Sequence, residues 1–215
     1  MVEFVSGPLV WIAFVGFFGG LLYRFVTMAK LAKRERVVIP TLSAKYGLRS
    51  LAHWVLPFGG ASTRKRPLFT LVSFAFHVCL IVTPLFVMGH TVLFQQAWGV
   101  RWWSLPDGVA DVMTLIVIFG AVFFMVRRLV KPEVRNVSYP SDFVIALLVA
   151  APFATGFIAA QQWLPYRTMI IIHAFTGALW LLAIPWTRLV HMLWFPFTRA
   201  YMGSEFGAVR HSRDW

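Results

Sequence analysis

Residues 109–130 read VADVMTLIVIFGAVFFMVRRLV. Between Asp111 and the Arg127-Arg128 pair no residue carries a charge, and a helix of that length crosses a hydrocarbon core about 30 Å thick. A strand of an outer-membrane barrel would alternate polar and apolar positions, and this stretch does not. Working outward, four more apolar blocks lie at about 9–28, 68–94, 142–163 and 167–196. Turn and charge signals separate them: Lys30 to Arg36, Gly59-Gly60 with Arg64-Lys65-Arg66-Pro67, Pro106-Asp107-Gly108, Lys131-Pro132 with Pro140, and Pro165. The sequence therefore predicts an all-α integral membrane bundle of five transmembrane helices, one domain over residues 1–215.

Composition agrees. Of the 215 residues 59% are hydrophobic and 13% charged, and the mean hydropathy of +0.72 exceeds what a soluble domain of this size could bury. The net charge of +12 raises the question of nucleic acid, but the basic residues cluster in the loops between apolar blocks, so topology accounts for them and no nucleic-acid partner is expected. Ten lie from Arg24 to Arg66, four from Arg127 to Arg135 and four from Arg188 onward, against Arg101 and Arg167 alone in the other two loops. By the positive-inside rule the N-terminus is outside, the C-terminus is cytoplasmic, and the chain is a multi-pass protein of the cell inner membrane. The start of the chain has neither a basic n-region nor a small-residue cleavage site, so the first block is expected to be a retained helix rather than a signal peptide. Residues 41–58, TLSAKYGLRSLAHWVLPF, place Leu48, Leu51, Ala52 and Val55 at helical spacing beside polar positions. This predicts an amphipathic helix at the cytoplasmic face, touching lipid headgroups or a partner subunit.

The single cysteine, Cys79, excludes a disulfide framework and any cysteine-held iron–sulfur cluster or c-type haem built from this chain alone. The histidines carry the chemistry. His77 and His90 lie in the second block and His173 in the fifth, with His191 toward the end of the fifth. Imidazoles in a spanning helix are costly unless hydrogen-bonded or bound to a metal. Because the second and fifth helices run in opposite directions, His77 and His191 fall toward the cytoplasm and His90 and His173 toward the outside. Two level pairs, His77–His191 and His90–His173, are what two bis-histidine haems require, whereas carboxylates at matching depth for a non-haem metal are missing. In an ideal helix residues 173 and 191 are five whole turns apart, roughly 27 Å along one face. Residues 77 and 90 would be rotated by about 220°, which a kink at Pro84 must correct, and Pro185 offers the fifth helix a similar kink. The competing reading is that the four histidines are satisfied by helix–helix hydrogen bonds and serve a proton-conducting or transport protein without haem. A third is an anchor that only holds a redox partner to the membrane. His53 and His211 lie in cytoplasmic segments with no ligand role.

The run His173-Ala-Phe-Thr-Gly-Ala-Leu-Trp-Leu-Leu-Ala-Ile-Pro185-Trp-Thr-Arg188-Leu-Val-His191-Met-Leu-Trp-Phe-Pro196 resembles the last transmembrane helix of the respiratory nitrate reductase gamma subunit family of dihaem cytochromes b. The segment Arg127-Arg128-Leu-Val-Lys-Pro-Glu-Val-Arg135, followed by Asp142, is similar as well. The longer spacing between His77 and His90 and the longer basic loop before the second helix bring the chain closer to the membrane cytochrome b subunits of the Dsr- and Tmc-type transmembrane redox complexes of sulfate reducers. The resemblance implies two b haems with His77, His90, His173 and His191 as axial ligands. Arg188, Arg101 and Arg167 are then candidates to pair with haem propionates, or else interfacial anchors. It implies electron transport in anaerobic respiration between the outer side and a cytoplasmic iron–sulfur subunit of the heterodisulfide-reductase type. The outer partner is menaquinone/menaquinol or a periplasmic multihaem cytochrome c. A quinone site would lie beside the outer haem, where Trp102, Trp103 and Trp98 offer an aromatic lining and Asp111 and Asp107 a carboxylate for the quinol proton; here the nitrate reductase subunit has a basic residue. The duller readings are an aromatic belt for the Trp residues and a helix-dipole partner for Asp111.

Overall fold

The computed structural model of the chain describes residues 2–32 and 41–215. The basic cluster from Lys33 to Arg36, part of the topology argument, lies outside the described residues. The fold is all-α: α1 (Val2–Ser6), α2 (Pro8–Ala32), α3 (Ala44–Val55), α4 (Ala61–Arg64), α5 (Pro67–Phe86), α6 (Met88–Trp98), α7 (Asp107–Val130), α8 (Pro132–Arg135), α9 (Pro140–Ala160), α10 (Tyr166–Ala183) and α11 (His191–Ser204). Among the described residues, five helical stretches are long and apolar enough to cross a membrane: Glu3–Ala32, Pro67–Phe86, Asp107–Val130, Pro140–Ala160 and Tyr166–Ala183. The chain is a multi-pass membrane protein.

Two of the expected spans are interrupted. The block at 68–94 is two helices, because Val87 takes an extended conformation (φ −65°, ψ 135°) and α6 starts anew at Met88. The block at 167–196 ends as a helix at Ala183. Residues 184–187 turn, Arg188–Val190 form a short 3-10 turn, and α11 begins at His191. The residue before a proline is disfavoured in the α region, so the helix ends ahead of Pro185. His173 and His191 therefore sit on different helices, and the picture of five unbroken turns with both rings on one face does not hold. Pro152, by contrast, stays inside a continuous α9.

The chain forms two compact units, one of Met1–Val10 with Val72–Trp180 and one of Trp11–Leu71 with Leu181–Trp215. In the first, α7 and α9 pack through small and branched residues. Ala110, Val117, Gly120 and Ala121 are buried on α7, and Val149, Phe153 and Ala159 on α9. Gly120 lets α5 come close, since a methyl group there would meet Phe76 at 2.7 Å. The turn between α7 and α9 is held by Asp142, whose side chain is 3% exposed. Its carboxylate accepts from the Tyr139 backbone N–H at 2.9 Å and from Arg128 Nη1 at 3.3 Å, and Arg128 also donates to Ser138 Oγ at 3.1 Å.

In the second unit α3 and α11 cross at backbone contact distance. Methyl groups at Gly47 and Gly203 would strike Ala200 and Ser50. Ser204 Oγ accepts from Ser43 N and donates to the Thr41 carbonyl at 3.1 Å. The C-terminal residues close over α3: Ser50 donates to Asp214, Trp215 stacks on His53 with ring centres 4.0 Å apart, and the Arg49 guanidinium lies between Tyr46 and Trp215, 4.7 Å from each ring. Gly16 and Gly20 of α2 face Leu182 and Pro185, and Arg24 Nε donates to the Pro185 carbonyl at 2.9 Å. That carbonyl is one that the break after Ala183 leaves without a helical partner.

Replacing Asp142 by alanine removes two charge-assisted hydrogen bonds from a buried site. We expect Asp142→Ala to cost about 2 kcal/mol, read as an earlier unfolding midpoint in mixed micelles, while Glu133→Ala on exposed α8 shifts stability by no more than about 0.5 kcal/mol.

Candidate functional site

The break at Val87 frees the carbonyls at the C-terminal end of α5, and in a membrane each needs a donor. All three are met. Pro84 O receives the imidazole Nδ1–H of His90 at 2.7 Å, Leu85 O the indole N–H of Trp102 at 2.7 Å, and Phe86 O the backbone N–H of Leu105 at 2.7 Å. The same three bonds turn the α6–α7 connection back over the end of α5 and fix the His90 ring.

His173, on α10, is fixed in the same way. Its Nδ1–H donates to the Pro152 carbonyl of α9 at 2.9 Å. The ring reaches that carbonyl because residue 156 is glycine, where a methyl group would lie 2.9 Å from His173 Cε1 and 3.0 Å from Nδ1. Thr155 and Thr176 bridge the two helices at 3.3 Å beside it.

These two rings come together. The centres of His90 and His173 are 5.8 Å apart, with 24° between their planes. A carbonyl oxygen only accepts, so both Nδ1 atoms are donors and both Nε2 atoms are acceptors. Two acceptors cannot hydrogen-bond one another, so the pair as built suits an electron-deficient centre. Two imidazole–metal bonds of about 2 Å each, with the ring radii added, put the centres of two rings that share a metal roughly 6 Å apart, so this ring separation leaves room for a shared ion. Nδ1–H donated to a carbonyl is also the outer-sphere bond that metal-bound histidines make. One turn after His173 on the same face, Gly177 has no atom within 4 Å of where a methyl group would sit. The donor set, two neutral imidazoles with their Nε2 lone pairs left over, is one that could hold a haem iron. Among the described residues no group of three or more His, Cys, Asp and Glu converges on a metal position.

His77 belongs to the first unit and His191 to the second, so each is described within its own unit. Both repeat the tautomer of the outer pair. His77 Nδ1 donates to the Ser73 carbonyl at 2.7 Å with the ring edge-on to Phe76, and His191 Nδ1 donates to the Arg188 carbonyl at 2.8 Å. His53 also has its Nδ1 on a backbone carbonyl, that of Arg49 at 2.8 Å, but Trp215 covers its face.

The other predicted residues are spread around this frame. Arg101 and Arg167 are exposed, the latter in the first turn of α10, and Arg188 opens the 3-10 turn before His191. Trp102 packs on Phe94, which also meets Trp98, and Trp103, 65% exposed, packs on Phe86. Asp111 accepts a hydrogen bond from Gln161 Nε2 at 2.7 Å, tying α7 to the end of α9, and Asp107 lies in the first turn of α7. Sequence reasoning missed Gly156, the Pro84 and Pro152 carbonyls, the capping role of Trp102 and the engagement of Arg24 with Pro185. Only Pro84 and Pro185 offered a signal, as helix interruptions near histidines.

The chain is 34% identical to a protein of Nitratidesulfovibrio vulgaris (strain Hildenborough) over 218 residues, covering 98% of this chain and 95% of the relative. The chain belongs to that protein's family. The relative's name carries no activity, no family model matches the chain, and no solved structure matches it.

Gly156 and Gly177 separate close packing from open space. Gly156→Val is expected to drive the His173 ring off its carbonyl and cost about 1–3 kcal/mol in thermal unfolding. Gly177→Ala, with nothing to strike, should be neutral or stabilising by about 0.5 kcal/mol through helix propensity.

Proposed function

We propose that this protein is a dihaem cytochrome b subunit of a membrane respiratory complex, similar to the nitrate reductase gamma subunit and to the cytochrome subunits of Dsr- and Tmc-type complexes. It would carry electrons between the outer side and a cytoplasmic iron–sulfur subunit. The observation that carries this reading is the His90–His173 pair, two imidazoles from different helices locked into the same tautomer with ring centres 5.8 Å apart. His77 and His191, with the same Nδ1-to-carbonyl bonds, are the proposed ligands of the second haem. Haem b, when bound, supplies reversible one-electron chemistry at the iron.

The chain's own residues hold and orient. Pro84 O and Pro152 O keep the two rings from turning, and Gly156 admits the His173 ring between α9 and α10. Arg188, Arg101 and Arg167 are proposed propionate partners, since a guanidinium binds a carboxylate in bidentate fashion. Trp102 and Trp103, with Asp111, are the proposed lining of a menaquinone site on the outer side. There Gln161 holds the carboxylate that would exchange a quinol proton. A periplasmic multihaem cytochrome c is the alternative outer partner. A proton relay without haem is disfavoured by the geometry: a relay passes a proton in at one ring nitrogen and out at the other, and a carbonyl facing Nδ1 neither gives nor takes one.

A dithionite-reduced minus oxidised spectrum with pyridine haemochrome quantitation should show two b haems per chain. His90→Ala and His173→Ala should each leave one, and His53→Ala should leave both. A folded chain without Soret absorbance would refute the assignment.

A further inference from the structure

Helix α3 presents its faces the opposite way from a helix packed on a core. Its inner side, against α11 and the C-terminal residues, is small, polar and aromatic. Gly47 and Ser50 are buried, and Arg49 and His53 are engaged by Trp215. Its outer side is apolar: Leu48 is 66% exposed, Val55 59%, and Leu56 just past the helix 61%. Exposed Ala44 and Ala52 complete the stripe at four-residue spacing with Leu48. An apolar stripe turned away from its own protein requires a cover.

Depth and charge say what the cover is. The α3–α11 pair sits at the end of α2, because Phe25 of α2 packs on Phe197 of α11 with ring centres 5.8 Å apart. Ala200, three residues further on, is where Gly47 of α3 docks. Phe25 lies in the last third of the spanning stretch Glu3–Ala32, roughly 10 Å from its end. From Thr41 to Arg66 the sequence has no acidic residue, but it has Lys45, Arg49, Arg64, Lys65 and Arg66. Of these, Lys45, Lys65 and Arg66 are exposed, as is Arg64, whose guanidinium caps the Phe58 and Gly59 carbonyls at 3.1 Å each. A helix with an apolar outer stripe at the boundary depth, flanked by exposed cations, matches an anionic phospholipid surface.

We infer that α3 is an interfacial helix that seats Leu48, Ala52, Val55 and Leu56 in the acyl–headgroup boundary of the adjacent leaflet, with Lys45 and Arg64–Arg66 on anionic phospholipid headgroups. The site is independent of the haem assignment and stands without it. It gives the two-helix cap formed by α3 and α11 a second attachment to the membrane beyond the spanning helices.

Nitroxide labels test this in a Cys79→Ala background, at Leu48→Cys, Val55→Cys and, as a control on α4, Ser62→Cys. The protein is reconstituted in nanodiscs of phosphatidylcholine with phosphatidylglycerol or of phosphatidylcholine alone. Power-saturation accessibility should show oxygen-to-nickel ratios at 48 and 55 on the order of threefold above that at 62, as expected for side chains below the headgroups. The difference should shrink in phosphatidylcholine alone. Nickel-accessible labels at 48 and 55 in the anionic discs would overturn the inference and assign the stripe to a protein partner. Equal depth in both lipids would overturn the headgroup part. The unsubstituted chain provides a check that no variant can spoil: photoreactive phosphatidylglycerol should cross-link within residues 41–66, and adducts confined to the spanning helices would refute the seating.

Discussion

Inside a hydrocarbon phase a backbone carbonyl that loses its helical N–H has no water to turn to, and this demand organises the protein. Two of its helical stretches break, at Val87 and after Ala183, and the carbonyls released there meet side chains placed for them. An imidazole, an indole and a loop amide serve Pro84, Leu85 and Phe86, and a guanidinium serves Pro185. The histidines thereby have two jobs at once. By capping a carbonyl each ring is oriented and restricted to one tautomer, with the Nε2 lone pair left over. For His90 the ring's orientation follows from the backbone's need for a donor at the end of α5, whereas His173 adds its bond to a carbonyl inside the continuous α9.

Close approach of helices makes this capping possible, and glycine makes the approach possible. His173 can reach the Pro152 carbonyl only because no methyl group stands at 156. Phe76 against Gly120, Pro185 against Gly20, and Ala200 against Gly47 are the same device at other crossings. Gly177 and Gly89 differ, since neither has a neighbour in reach, and both adjoin the paired histidines. Close-packed glycines hold the frame, and the open ones bear on no neighbouring helix.

The basic residues likewise divide into two groups that a charge count cannot separate. Arg24, Arg49 and Arg128 lie on the positive-inside side and contribute to topology, yet each is engaged structurally, with a carbonyl, with two aromatic faces and with a buried carboxylate. Lys45, Lys65 and Arg66 are exposed and line the stretch that carries the apolar stripe of α3. The first group orders the protein, and the second faces what lies outside it.

Five spans, an all-α fold and an amphipathic helix near residues 44–55 were legible along the chain, because hydrophobic length and helical periodicity are local properties. So was the prominence of four histidines in apolar surroundings, since desolvation makes an imidazole there conspicuous wherever it points. The level of His90 with His173 was also readable from the alternating direction of the helices. What a linear reading got wrong was continuity: it allowed for kinks at Pro84 and Pro185 but not for the breaks at Val87 and after Ala183, beyond which new helices start. Where those helices break, which carbonyl each imidazole answers to, and which face of α3 turns outward depend on Gly156, Pro152, Trp102 and Ala200, residues distant in sequence. The sequence by itself determined which segments must leave water. Only the tertiary structure decided where the side chains point, because satisfying a freed carbonyl in a medium without water takes a donor from another part of the chain.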